Sequence, residues 1–120
     1  MSYVDGYVLT VPKARLDDYR AMAQKAAAVW KEHGALSYRE AVGDDLQHEF
    51  GRSFVEMASA GDDDVVIFAY VEYNNREERD TILAKVMEDP RLKDECANED
   101  KMPFDPTKMA FGGFSVIVSA

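Results

Sequence analysis

The run Val65-Val66-Ile67-Phe68-Ala69-Tyr70-Val71-Glu72-Tyr73, followed by Asn74-Asn75-Arg76-Glu77-Glu78, decides the fold. β-Branched and aromatic residues dominate its first part, which reads as a strand. Asn75 with Glu78 three residues on has the form of a capping box, so a helix opens there. Arg79, Ile82, Leu83, Val86 and Met87 form its buried stripe, and Asp89-Pro90 ends it, because the residue before a proline is pushed out of the helical region.

Working outward from this pair, the elements repeat. Tyr3 to Val11 is a strand stopped by Pro12. From about Lys13 to Glu32, Leu16, Tyr19, Ala23, Ala26, Trp30 and His33 recur at steps of three and four and share one face of a helix. Ala26, Ala27 and Ala28 favour that helix, and His33-Gly34 is a stop at which glycine is free to turn left-handed. Leu36 to Val42 is a second strand, closed by the turn residues Gly43-Asp44-Asp45. Phe54 to Met57 reads as a short strand, and Ser59 to Asp63 as a hairpin turn. Residues 90–107 make a polar connection with Pro90, Pro103 and Pro106 and one helical turn around Leu92 to Cys96; Met109 to Val118 is the last strand, interrupted by Gly112-Gly113. Residues 1–120 thus read as one domain of order βαββαβ. That order is the α+β, ferredoxin-like arrangement: an antiparallel sheet with two helices on one face.

The sheet's other face should be polar in a monomer. With Val4, Gly6, Val8, Val65, Ile67, Ala69 and Val71 placed against the alanine-rich helix, the opposite parity holds Tyr3, Asp5, Tyr7, Leu9, Leu36, Tyr38, Glu40, Val42, Val66, Phe68, Tyr70, Glu72, Met109, Phe111 and Ile117. A large apolar and aromatic face is not left open by a monomer, and a second copy covering it is the simplest solution. The expected self-association is therefore a homodimer through the open sheet face.

Composition excludes several classes. Lys and Arg number 14 against 23 Asp and Glu, a net charge of −9, and the excess sits in residues 61–120, which carry 7 basic and 14 acidic side chains. Gripping a phosphate backbone requires a basic face, and the nearest approach, Arg76 with Arg79, is interleaved with Glu77, Glu78 and Asp80. Neither nucleic acid nor an anionic membrane is an expected partner. No apolar run approaches the ~20 residues of a membrane span, the N-terminal residues do not form a secretory signal, and the lone Cys96 fits a reducing compartment, so a cytoplasmic protein is expected.

The chemistry-bearing residues are few. His33, His48 and Cys96 are far apart and lack zinc spacing, and Asp62-Asp63-Asp64 lacks the alternation of a calcium loop, so no metal is expected. No Gly-x-Ser-x-Gly elbow occurs, and Glu95, Glu99 and Asp100 near Cys96 work against a thiolate. Gly112-Gly113 lies inside a strand, where it marks a bulge or a close backbone approach, and no cofactor motif is found. Trp30 and His33 lie at the C-terminal end of the first helix. There a histidine either packs and caps carbonyls or touches a ligand. The richest constellation is Asp5, Glu40 and Glu72 near Tyr7, Tyr38, Tyr70, Phe68 and Phe111. In a desolvated aromatic pocket such carboxylates acquire raised pKa values and serve as acid or base; alternatively they hydrogen-bond tyrosine hydroxyls across a dimer interface. A pocket with these residues suits a neutral polyol-like, phenolic or cationic molecule better than an anion.

Several blocks resemble a known family. Tyr3-Val4-Asp5-Gly6-Tyr7-Val8-Leu9, Trp30-Lys31-Glu32-His33-Gly34-Ala35-Leu36, Gly43-Asp44-Asp45, Lys85-Val86-Met87 with Asp89-Pro90-Arg91-Leu92, Met102-Pro103-Phe104-Asp105 and Gly112-Gly113-Phe114 are similar to the YbaA-like family of small bacterial proteins, a domain of unknown function. The resemblance implies a dimeric α+β barrel, in which two ferredoxin-like sheets face each other, and no established activity. Three readings follow: a homodimeric small-molecule binding protein, a cofactor-independent enzyme such as a monooxygenase (by fold analogy alone), and a protein whose sheet face serves only to dimerise.

Overall fold

A computed structural model describes residues 2–96 and 102–120. Four strands, β1 (Tyr3–Pro12), β2 (Ser37–Val42), β3 (Asp64–Tyr73) and β4 (Ala110–Ser115), form one antiparallel sheet in the order β2-β3-β1-β4. The long helices α1 (Leu16–Glu32) and α3 (Arg76–Glu88) lie on one face, and α4 (Pro90–Cys96) rests against both. This is the ferredoxin-like arrangement expected from the element order.

Local chemistry accounts for the element ends. Asn75 Oδ1 accepts from Glu78 N at 2.8 Å, which caps α3. Glu78 itself turns to Asn74 Nδ2 (2.9 Å), so the cap is not reciprocal. Gly34 follows α1 with φ +117°, a conformation that L side chains rarely adopt. Two readings differ from the structure. Phe54–Met57 is a helical turn, α2, because Ser53 Oγ accepts from Glu56 N (3.1 Å) and starts a helix that residue propensity alone does not show. The last strand ends at Ser115 rather than Val118: its register with β1 closes at Tyr3, and past it Val116 N donates to Ser2 O (3.0 Å) as the ladder ends. The surroundings of the Cys96 thiol fall outside the described residues.

The register divides the expected open face in two. On β3 the parity is as read: Val65, Ile67, Ala69, Val71 and Tyr73 face the helices, and Val66, Phe68, Tyr70 and Glu72 face away. On β1 it is reversed. Tyr3, Asp5, Tyr7, Leu9 and Val11 stand opposite Tyr73, Val71, Ala69, Ile67 and Val65, and therefore face the helices. By the same rule Tyr38, Glu40 and Val42 of β2 and Phe111 of β4 lie on the helix side, and Arg39, Ala41 and Phe114 on the other. The physical reason is complementary volume. The alanines of α1 leave depth that the large Tyr7, Tyr38 and Tyr73 fill, where small residues facing small residues would leave a gap.

The core has two lobes under the helices. One holds Tyr3, Val29, Trp30, Val71, Tyr73, Ile82 and Val86. The other holds Leu9, Val11, Tyr19, Ala23, Ile67 and Ala69. The far side of the sheet stays partly uncovered. Phe68 is 46% and Phe114 63% exposed, while Phe54 of α2 packs edge-on against Phe68 at 6.3 Å and Val66 is buried.

Candidate functional site

Glu40 sits near the middle of β2, an edge strand, and points under α1. Tyr19, on the first turn of α1, donates its hydroxyl to Glu40 Oε1 at 2.5 Å, and Tyr38, two residues along β2, donates to Oε2 at 2.6 Å. Helical spacing brings Leu16, Arg20, Ala23, Gln24 and Ala27 over this group, and the sheet adds Val42 and Ile67. The result is a cleft of about 250 Å³ with apolar walls and one carboxylate between two phenols at its polar end. Burial, reinforced by the neighbouring Glu40 charge, pushes both tyrosine hydroxyls far above their ordinary value, so they remain donors.

A second polar group lies deeper along the same face. Asp5 is only 5% exposed, and its carboxyl is pushed up by burial against the opposing pull of the Arg79 guanidinium, 3.6 Å away. Arg79 Nη2 donates to Tyr3 Oη (2.9 Å), and its guanidinium lies 5.0 Å above the Tyr3 ring. Trp30 Nε1 donates to Tyr73 Oη at 3.0 Å, and Tyr73 is in turn hydrogen-bonded to Asp5. Asp5 Oδ2 and Arg79 Nε, both sealed from solvent, have no hydrogen-bond partner among the described residues. Tyr7 feels the charge of both carboxylates; burial first, then Asp5, pushes its hydroxyl up to about 12. Gly113 makes room for this pair: a Cβ at that position would overlap Tyr3 Oη and come within 2.7 Å of Arg79 Nη2, so one of them would have to shift. The close backbone approach read from the glycine pair is this contact.

The predicted site residues therefore fall into three groups. Asp5, Tyr7, Tyr38, Glu40 and Phe111 share the helix side with Trp30, whose ring lies 5.6 Å from that of Tyr38, while Phe111 stacks on Tyr7 at 6.1 Å and is otherwise 71% exposed. Phe68, Tyr70 and Glu72 lie on the opposite face, so the expectation of one shared face for all eight is corrected by the reversed parity of β1, β2 and β4. His33 stands apart: its Nε2 is 3.0 Å from Asp89 Oδ2, and Arg91 grips the same carboxylate while donating to Glu32 Oε2 at 2.6 Å. It ties the end of α1 to the start of α4 rather than capping carbonyls. Tyr19, Tyr73 and Arg79 were legible in the sequence only as helix or strand positions. A tyrosine on an otherwise alanine-rich buried stripe is the signal that marks Tyr19 as more than filling, because a sealed hydroxyl needs a partner.

The comparisons with known proteins agree with this architecture. Residues 2–106 match the family described as Protein of unknown function (DUF1428). Over 118 residues the chain is 40% identical to the uncharacterized protein YbaA of Escherichia coli K12, and equally to that of Shigella flexneri, covering 98% of both chains in each case. Among solved structures, a dimeric ferredoxin-like protein from an uncultured marine organism superposes with a TM-score of 0.57 at 10% identity, covering 99% of this chain and 98% of that one. The chain belongs to the DUF1428 family and has its fold in common with that ferredoxin-like protein. No helix among the described residues is long and apolar enough to cross a membrane.

Proposed function

We propose that this DUF1428-family protein is a homodimer, joined through the uncovered sheet face, in which each copy holds a small neutral or cationic molecule in the cleft between α1 and β2. The observation that carries the binding reading is the Glu40 carboxylate, set between Tyr19 and Tyr38 in a mostly apolar cleft of about 250 Å³. Ligand sites have this character: mostly apolar walls with a few convergent polar groups. The arrangement favours holding over turnover, because each oxygen of the carboxylate in this cleft already accepts a phenol proton.

The dimer reading has separate support. Val4, Val8, Phe68, Tyr70 and Phe114 share the uncovered face with Arg39, Glu72 and, at the end of β3, Asp64. A two-fold pairing sets the same patch against itself, and a mostly apolar patch that carries both signs of charge suits such a pairing. The structurally similar marine protein is itself dimeric.

Native mass spectrometry tests both readings at once, with a library of small phenols, polyols and amines added. A species of about 27 kDa, twice the 13.5 kDa chain, is expected, carrying a small adduct. Phe68→Asp should shift it to the single chain, because an unpaired charge in an interface core is costly. A wild-type single chain refutes the dimer; a dimer that takes up no library member refutes the site.

A further inference from the structure

We infer that the Glu40 cleft is built for a protonated primary or secondary amine on a small flat or aliphatic group, an assignment that rests on the binding reading above and names what the site takes. A phenol has one proton and two lone pairs, and a carboxylate has lone pairs alone. Tyr19 and Tyr38 have each given their one proton to Glu40. What the polar end still offers is lone pairs on four oxygens and no proton. A molecule seated there must bring the hydrogens itself.

The rest of the lining does not reverse this. Leu16, Ala23, Ala27, Val42 and Ile67 have no polar side-chain groups. Arg20 is at the mouth, 60% exposed, with its guanidinium on Asp17 at 3.0 Å. Gln24 provides one amide, a donor and an acceptor together. An ammonium group brings two or three N–H donors and a charge opposite to that of Glu40, and charge-assisted hydrogen bonds of this kind are the strong ones. A quaternary ammonium has the charge without the protons; an alcohol has one proton without the charge. A carboxylate or phosphate seated at the Glu40 end sets anion against anion, where both phenol protons are already given to Glu40. The net charge of −9 draws cations from a distance and repels anions, in the same sense.

Four probes that share one ring separate these cases: benzylamine, benzyl alcohol, benzyltrimethylammonium and benzoate. Each is titrated into the whole protein while backbone amide signals are followed by NMR. Benzylamine should move the signals of Ala23, Glu40 and Val42 and saturate, with the other three weaker by about tenfold or more. Its affinity should fall as pH rises through its own ammonium pKa, a profile that needs no variant. Glu40→Gln, which puts an amide donor in place of one acceptor, should weaken benzylamine by about tenfold while leaving benzyl alcohol nearly unchanged. Benzoate or the quaternary salt binding the cleft as tightly as benzylamine overturns the amine assignment and leaves a ligand site standing. So does a benzylamine affinity that ignores pH or the Glu40→Gln change. Silence of the cleft signals with all four probes overturns the assignment and the binding reading together.

Discussion

Replacing Glu40 by Met keeps the length and straight-chain shape of the side chain but strands two hydroxyls. Tyr19 and Tyr38 each donate to this carboxylate from partly buried positions, and a hydrogen bond to a charged group is worth ~1.5–3 kcal/mol. Taking the low end for groups not fully sealed, and allowing for the apolar surface that Met gains, we expect a loss of about 2–3 kcal/mol. With a urea slope of roughly 1–3 kcal/mol per molar for small domains, the unfolding midpoint should fall by about 1–2 M. The informative comparison is the triple variant Glu40→Met, Tyr19→Phe, Tyr38→Phe. Removing all three polar groups leaves nothing stranded, so stability should return to within about 1 kcal/mol of wild type. Urea unfolding followed by far-ultraviolet circular dichroism, at one fixed protein concentration, measures both. A triple variant as weak as the single one shows that packing, not the stranded hydroxyls, caused the loss. An unchanged single variant shows that Glu40 is not what satisfies the two phenols.

Three further outcomes follow from the same geometry. Gly113→Ala should destabilise by about 1–3 kcal/mol, because the new methyl displaces Tyr3 and Arg79 from each other and leaves Asp5 sealed with a weakened counter-charge; a variant with the wild-type thermal midpoint argues against that close approach. Tyr7, Tyr19, Tyr38 and Tyr73 all have hydroxyls raised above the ordinary value of about 10, so their contribution is intact below that pH and is lost as pH climbs toward the folded values. Their phenolate absorbance should appear with unfolding, and its smooth appearance in the folded protein near pH 10 would contradict the burial. Asp89 is held well below the ordinary carboxylate range, first by hydrogen bonds from Arg91 and then by His33. Its stabilisation is present above about pH 4 and lost as pH falls further. Asp89→Asn should therefore be less stable at neutral pH and show a shallower loss in acid, and urea midpoints with the same acid slope as wild type would count against the His33–Asp89–Arg91 clamp.

Hydrophobic spacing and caps alone determine the element order, the two long helices and the α3 cap at Asn75, because these depend on residues three or four apart or on one run of β-branched side chains. The excess of apolar side chains over what one packed face can cover is likewise readable from the chain. Which residues occupy which face is a tertiary decision. On β1 both parities are substantially apolar, Tyr3, Tyr7 and Leu9 on one and Val4 and Val8 on the other, so alternation cannot choose between them, and a one-residue slip exchanges the whole set. What chose was volume: the shallow alanine surface of α1 fits over tyrosines and would leave a gap over Val4, Gly6 and Val8. The same choice carried Asp5 and Glu40 inward and left Glu72 outside. The pairing of Glu40 with Tyr19, 21 residues earlier on another element, exists only once α1 lies across β2.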